Sequence, residues 1–123
     1  MEVDLGKWYR ANIDKKEFKK LCKKSDLQGF KHMIIYFSSL FLFGYLAYVT
    51  WGTWWSLLFF IIYGNIWGCS DAIWHETGHR TAFKSKFWND FFYYIASFMD
   101  NFEPIRWRYS HYHHHTYTQF NDP

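Results

Sequence analysis

MIIYFSSLFLFGYLAYVTWGTWWSLLFFIIYGNIWGCS, residues 33–70, contains no Asp, Glu, Lys or Arg. A helix of roughly 20 apolar residues crosses the hydrocarbon core of a bilayer, and this run is long enough for two. It is too long for one core helix of a soluble domain. Thr50-Trp51-Gly52-Thr53 near its middle reads as a tight turn. The spacing therefore predicts a transmembrane hairpin, with a first span over 33–50 and a second from 54 to about 72. Each span of about 18 residues is near 27 Å long, which just crosses the core. Trp51, Trp54 and Trp55 would lie at the far interface, where indole rings favour the headgroup layer. Gly64 and Gly68 form a Gly-xxx-Gly pair, read either as a close-approach surface for another helix or as ordinary glycine content of a membrane helix.

Working outward, the ends are polar enough to give a whole-chain mean hydropathy of −0.33. That average conceals the apolar centre, and the local run decides the class. Aromatic residues make up 26% of the 123 residues, far above a typical soluble domain. Residues 1–32 carry nine Lys/Arg against five Asp/Glu, and the turn at 50–53 carries none. By the positive-inside rule, both ends of the hairpin belong on the cytoplasmic side. An adjacent membrane span argues against a nucleic-acid-binding arm. No signal peptide is apparent, because the first thirty residues are charged throughout. Cys22 and Cys69 form no motif and read as free thiols.

DKKEFKKLCKKS, residues 14–25, reads as a short basic helix, suited to an anionic leaflet or simply to solvent. Asp26 to Gly29 breaks the pattern before the first span. The second span has no stop signal before His75, so the helix should run past the membrane surface carrying His75 and His79. FWNDFFYYIASFM, residues 87–99, is too short to span, and its aromatic load suits an interfacial helix. Residues 101–109 contain Pro104 and read as a loop, with Ser110 as N-cap of a helix starting at His111. The fold expected is all-α: a basic cytoplasmic segment (1–32), a two-span hairpin (33–73), and a cytoplasmic or interfacial segment (74–123).

Six of the seven histidines fall in two clusters, HETGH at 75–79 and HYHHH at 111–115. On helices, His75 and His79 share a face at i and i+4, and His111 shares one with His114 and His115. His113 points away and is left out; His32 stands alone near the first span. Neutral imidazole is a good ligand for iron, zinc and copper. HETGH alone also fits the His-Glu-x-x-His zinc-protease pattern, with Glu76 as general base. That motif by itself leaves the two readings open. A one-zinc protease needs one further ligand, and three more histidines are better explained by a second metal.

With both clusters in view, the chain resembles the N-terminal half of membrane fatty acid desaturase-like proteins, a superfamily that includes alkane and carotenoid hydroxylases. HETGH matches the first histidine box, of form His-x3-4-His, and HYHHH matches the second, of form His-x-x-His-His. The flanks LCKKSDLQGF, TWGTWW, HETGHRTAFKSKFWND and EPIRWRYSHYHHHT fit as well. The resemblance implies an oxygen-dependent, non-haem di-iron desaturase acting on a lipid acyl chain, or a related hydroxylase. It implies His75, His79, His111, His114 and His115 as metal ligands, two iron ions as cofactor and dioxygen as co-substrate. It also implies a membrane setting and an electron donor of cytochrome b5 or ferredoxin type. Asp71, one turn before His75, would either orient a ligand or cap the membrane exit. Arg80, Lys84, Arg106 and Arg108 would meet an acyl headgroup or an acidic donor, or serve as positive-inside anchors.

The chain departs from that family in one respect. A third box, usually a further His-x-x-His-His, is expected beyond a second pair of spans, and no histidine follows His115. Five of roughly eight expected ligands are present, so the expectation is an incomplete fragment, inactive on its own.

Overall fold

The computed structural model describes residues 12–117. Among them every regular element is an α-helix: α1 (Lys15–Leu21), α2 (Asp26–Val49), α3 (Trp54–Gly68), α4 (Ser70–Gly78), α5 (Lys86–Met99) and α6 (Pro104–Tyr117). The runs Lys15–Val49 and Trp54–Gly78 each contain a stretch long and apolar enough to cross a membrane. Their apolar faces are not covered: Phe41 is 74% exposed and Trp54 86% exposed. A soluble core helix would bury such residues, whereas these uncovered apolar faces suit lipid surroundings.

The α2–α3 hairpin turns where Gly52 adopts φ +83°, a left-handed conformation that suits glycine. Thr50 Oγ1 donates to Leu46 O and Thr53 Oγ1 to Thr50 O, which satisfies carbonyls at the helix end. The two helices meet through small residues. Buried Ser56 donates to Ala47 O at 3.0 Å, and Gly44 faces the Tyr63 ring, which a Cβ would approach to 3.1 Å. A Cβ at Gly64 or Gly68 would meet nothing within 4 Å, so of these three glycines it is Gly44 that lies at the helix contact.

Four boundaries differ from the sequence reading. The basic helix is shorter, Lys15–Leu21: Asp14 caps its start by accepting from Lys16 N and Glu17 N, and Cys22 closes its end. Asp26 to Gly29 is the first turn of α2 and not a break. Asp26 Oδ1 accepts from Ser85 N at 2.7 Å, and Gly29 is buried against Phe83, so tertiary contacts hold this turn helical. The second span is interrupted at Cys69, where α3 ends and α4 begins. The hydroxyl of fully buried Ser70 lies within hydrogen-bond distance of both Trp67 O and Asp100 Oδ1 at this joint.

The fourth difference bears on the site. Residues 104–109 are helical, and α6 begins at Pro104 rather than at His111. Pro104 occupies the first helical position, where its fixed φ and missing N–H cost nothing. Glu103 caps the helix by accepting from Ile105 N and Arg106 N. Ser110 is therefore interior, and α6 gains about two turns ahead of the histidines.

α5 packs on α4 and on the start of α2. Phe83, Met33 and Phe92 form one small core with Phe30 and Phe37 against it; Trp74, Tyr93 and Ala96 form another with Trp107. Buried Asn89 staples the connection, accepting from Phe83 N and donating to Phe83 O and Ser85 O. The opposite face of α5 shows Phe87, Phe91, Tyr94 and Phe98 to the surroundings. Helices α4 and α5 end alike, on residues with left-handed φ, Arg80 (57°) and Asn101 (56°). Thr81 N returns to Glu76 O and Phe102 N to Ser97 O, the long bond of a Schellman motif.

Candidate metal centre

His75 lies in the last turn of α4 and His79 is its C-cap, so both project from the end of one helix. His111 from the middle of α6 and His115 from its last turn project at i and i+4. One ring nitrogen from each of these four histidines lies within 4.8 Å of all the others. His111 is the hub: its Nε2 is 2.9 Å from His79 Nε2 and 3.0 Å from His115 Nε2. The His75 ring lies 4.5 Å from the His111 ring, centroid to centroid.

The nitrogen spacings carry a chemical meaning. Three Nε2 atoms crowd one point, where a shared ring N–H or a cation can bridge them, and which nitrogen carries a proton depends on the tautomer. Two nitrogens about 2.1 Å from a common ion at a right angle lie about 3.0 Å apart. The 2.9 and 3.0 Å separations match this edge, whereas a pair at 4.8 Å exceeds the limit of about 4.2 Å and needs a small ring rotation. The donor set is neutral nitrogen only, suited to a first-row transition metal rather than to calcium or magnesium.

Electrostatics agree. Burial first, then the charges of His75, His115, His79 and His114, lowers the His111 pKa to about 4. Burial, followed by His75 and His115, also lowers His79. Both rings are therefore neutral at pH 7, the form that binds metal.

The remaining sequence-predicted residues fall as follows. His114 lies beside the group, its ring 6.2 Å from that of His111, and is not one of the four. His113 packs against Tyr117 at 4.5 Å. Glu76 lines a different cleft of about 460 Å³ with Cys22, His32 and Gly29. Asp71 is exposed, and its charge falls on Asp100. Burial chiefly raises the Asp100 carboxyl, against the bond from Ser70 that lowers it. Cys22 and Cys69 are free and exposed.

Arg80 and Arg108 both bind Asp90. Arg80 donates through Nε and NH2 at 3.2 Å each, and Arg108 through NH1 at 3.0 Å. Burial tends to raise the Asp90 carboxyl, but the hydrogen bonds and charges of the two arginines prevail and hold it below the usual range. Asp90 on α5 thus clamps the end of α4 to α6. Tyr112 adds a second tie, its hydroxyl donating to Gly78 O at 3.0 Å, and Tyr93 donates to Pro104 O. Trp107 packs against Trp74, and its ring is stacked on His111 at 4.4 Å and 21°.

The sequence reading did not single out Asp90, Tyr112, Trp74 or Trp107. Asp90 carries no local signal, because its partners are 10 and 18 residues away. Trp107 stands four residues before His111, and reading Pro104 as a helix start would have put both on one face.

Residues 50–123 match the Fatty acid desaturase family, well over half of the chain and all of the segment bearing both histidine clusters. The chain belongs to the fatty acid desaturase family, a membrane-associated family of oxidoreductases. No curated protein matches the chain. No solved structure matches it.

Proposed function

We propose that this chain carries the first two histidine boxes of a membrane-bound, oxygen-dependent di-iron desaturase that introduces a double bond into a lipid acyl chain. The observation that carries the reading is the convergence of His75, His79, His111 and His115 on one point from two helices, in a chain of this family. Bound iron would supply dioxygen activation and removal of hydrogen from an unactivated C–H bond. The chain's own residues hold the metal with neutral imidazoles, which add no negative charge and leave positions open for oxygen. His114, at the edge of the group, is assigned to the second ion. Five imidazoles are too few for two such ions, so the rest of the ligand set comes from outside the described residues.

α2 and the α3–α4 run cross the bilayer as a hairpin in a multi-pass protein, with the basic N-terminal segment and the histidines cytoplasmic. That orientation follows from the lysine excess of residues 1–32. The exposed aromatic row of α5 suits the headgroup layer. Partners are the acyl lipid and an electron donor of cytochrome b5 or ferredoxin type; nucleic acid has no role. Glu76 lines a different cleft from the four-histidine group, a poor position for the general base of a zinc protease.

The test has two arms. Anaerobic loading with Fe(II) should give stoichiometric binding that His79→Ala and His111→Ala abolish. Lipid profiling of cells expressing the gene's full product should show a new double bond dependent on the same histidines. A hydroxylated lipid would reassign the chemistry to a hydroxylase. Peptide cleavage abolished by Glu76→Gln would overturn the oxidative reading altogether.

A further inference from the structure

We propose that Trp107 is a positioning residue of the metal centre: its indole, stacked on His111, fixes the plane in which that imidazole presents Nε2. This rests on reading the four-histidine group as a metal site.

His111 is the hub of the group, in contact through Nε2 with both His79 and His115. Whatever orients this ring orients the donor set. Ligating histidines are commonly fixed through their second nitrogen by a carboxylate or carbonyl. Here the fixing contact is a face. The Trp107 and His111 rings lie 4.4 Å apart at 21°, so rotation of the imidazole about its Cβ–Cγ bond drives its edge into the indole. The indole itself is backed by Trp74, which is 2% exposed, and by Phe102, stacked at 6.1 Å and 20°. Trp74 immediately precedes His75, and Trp107 lies one turn before His111. The indole pair therefore sets the register of one box against the other.

Docking of α6 does not depend on this stack alone. The Arg108–Asp90 pair, the Tyr112 hydroxyl on Gly78 O and the Tyr93 hydroxyl on Pro104 O also hold the helix. Loss of the indole should thus leave α6 docked with a misoriented ligand, which separates positioning from anchoring.

The experiment uses the 123-residue chain in lipid nanodiscs with Co(II) as probe, comparing wild type, Trp107→Leu, Trp107→Phe and Asp90→Ala. Trp107→Leu should bind Co(II) about 10–100-fold more weakly, in the range of lost supporting contacts at metal sites. Its d–d absorption envelope at saturation should differ from wild type. Trp107→Phe, which keeps an aromatic face, should restore the wild-type envelope. Asp90→Ala, which loosens α6 without touching His111, should weaken binding yet keep that envelope at saturation.

A wild-type envelope in Trp107→Leu at saturation, whatever its affinity, would make Trp107 a mere anchor and overturn the proposal. If Trp107→Leu does not fold by far-UV circular dichroism, an altered envelope in Trp107→Phe overturns it instead. A wild-type chain that takes up no Co(II) removes the metal reading and this inference together, recognisable because every variant is then equally blank.

Discussion

Replacing Asp90 by alanine should loosen α6, and the size of the effect follows from the surroundings of the two arginines. The Arg80 side chain is 40% exposed and that of Asp90 27%, so this pair belongs with surface ion pairs worth about 0.5 kcal/mol. Arg108 is different: its side chain is 17% exposed, and its buried Nε and NH2 already lack hydrogen-bond partners among the described residues. Taking away the carboxylate leaves a largely buried cation facing the Tyr93 ring, 3.9 Å from its guanidinium carbon. Breaking a fully buried pair costs about 3–5 kcal/mol, and partial exposure reduces this to about 1.5. The two contributions together come to about 2 kcal/mol. That corresponds to a roughly 30-fold faster exchange of α6 amides that open by undocking. Hydrogen exchange of the metal-free protein in nanodiscs reads this directly. The double variant Asp90→Ala/Arg108→Met should exchange more slowly than the single one, because it removes the stranded charge. An acceleration below about threefold would refute the clamp, since that is under 1 kcal/mol.

Gly29→Ala should destabilise the contact between α2 and the α4–α5 connection by about 1–3 kcal/mol, because its Cβ would lie 2.5 Å from Phe83 ring carbons and 2.8 Å from Ala82 O. Thermal unfolding in detergent, followed by circular dichroism, would check it, and an unchanged midpoint would show that Phe83 can move aside. Acid should release α6. His111 titrates at about 4 against an ordinary 6.5, so the unfolded chain takes up its proton first. The contribution is complete above pH 6.5, is lost as the pH falls toward 4, and changes no further below; His79, shifted the same way, adds to it. Limited proteolysis of the metal-free protein across this window would follow the release, and His111→Gln should flatten the profile. His113→Ala should leave metal stoichiometry at the wild-type value, whereas His115→Ala should reduce it, as read by elemental analysis of the loaded protein.

Much of the architecture was legible because membrane spans and metal ligands both leave local marks. A charge-free run from Met33 to Ser70 has few fates other than a hairpin in lipid, and Thr50–Thr53 marked its turn. Histidines at i and i+4 declare a shared face wherever a helix forms. What failed was punctuation. Residues 101–109 with Pro104 suggest a loop, yet Pro104 starts a helix, and Asp26 to Gly29 suggests a break, yet it is a helix's first turn. In each case the deciding contact was distant or dual-purpose: Ser85 on Asp26, Phe83 on Gly29, and Glu103 capping the turn that Pro104 opens.

The sequence by itself determined that the chain is helical, that its centre is apolar enough for a bilayer, and that its histidines form two faces. These follow from composition and period, which act over a few residues. Only the tertiary structure decided that the two faces meet, and which four imidazoles come within 4.8 Å of one another. The meeting depends on α5 lying between the boxes, on Asp90 drawing Arg80 and Arg108 to one carboxylate, and on Trp74 seating Trp107 against His111. The physical reason is that a metal site is a matter of ångströms between side chains some thirty residues apart. No local preference measures that distance; packing sets it.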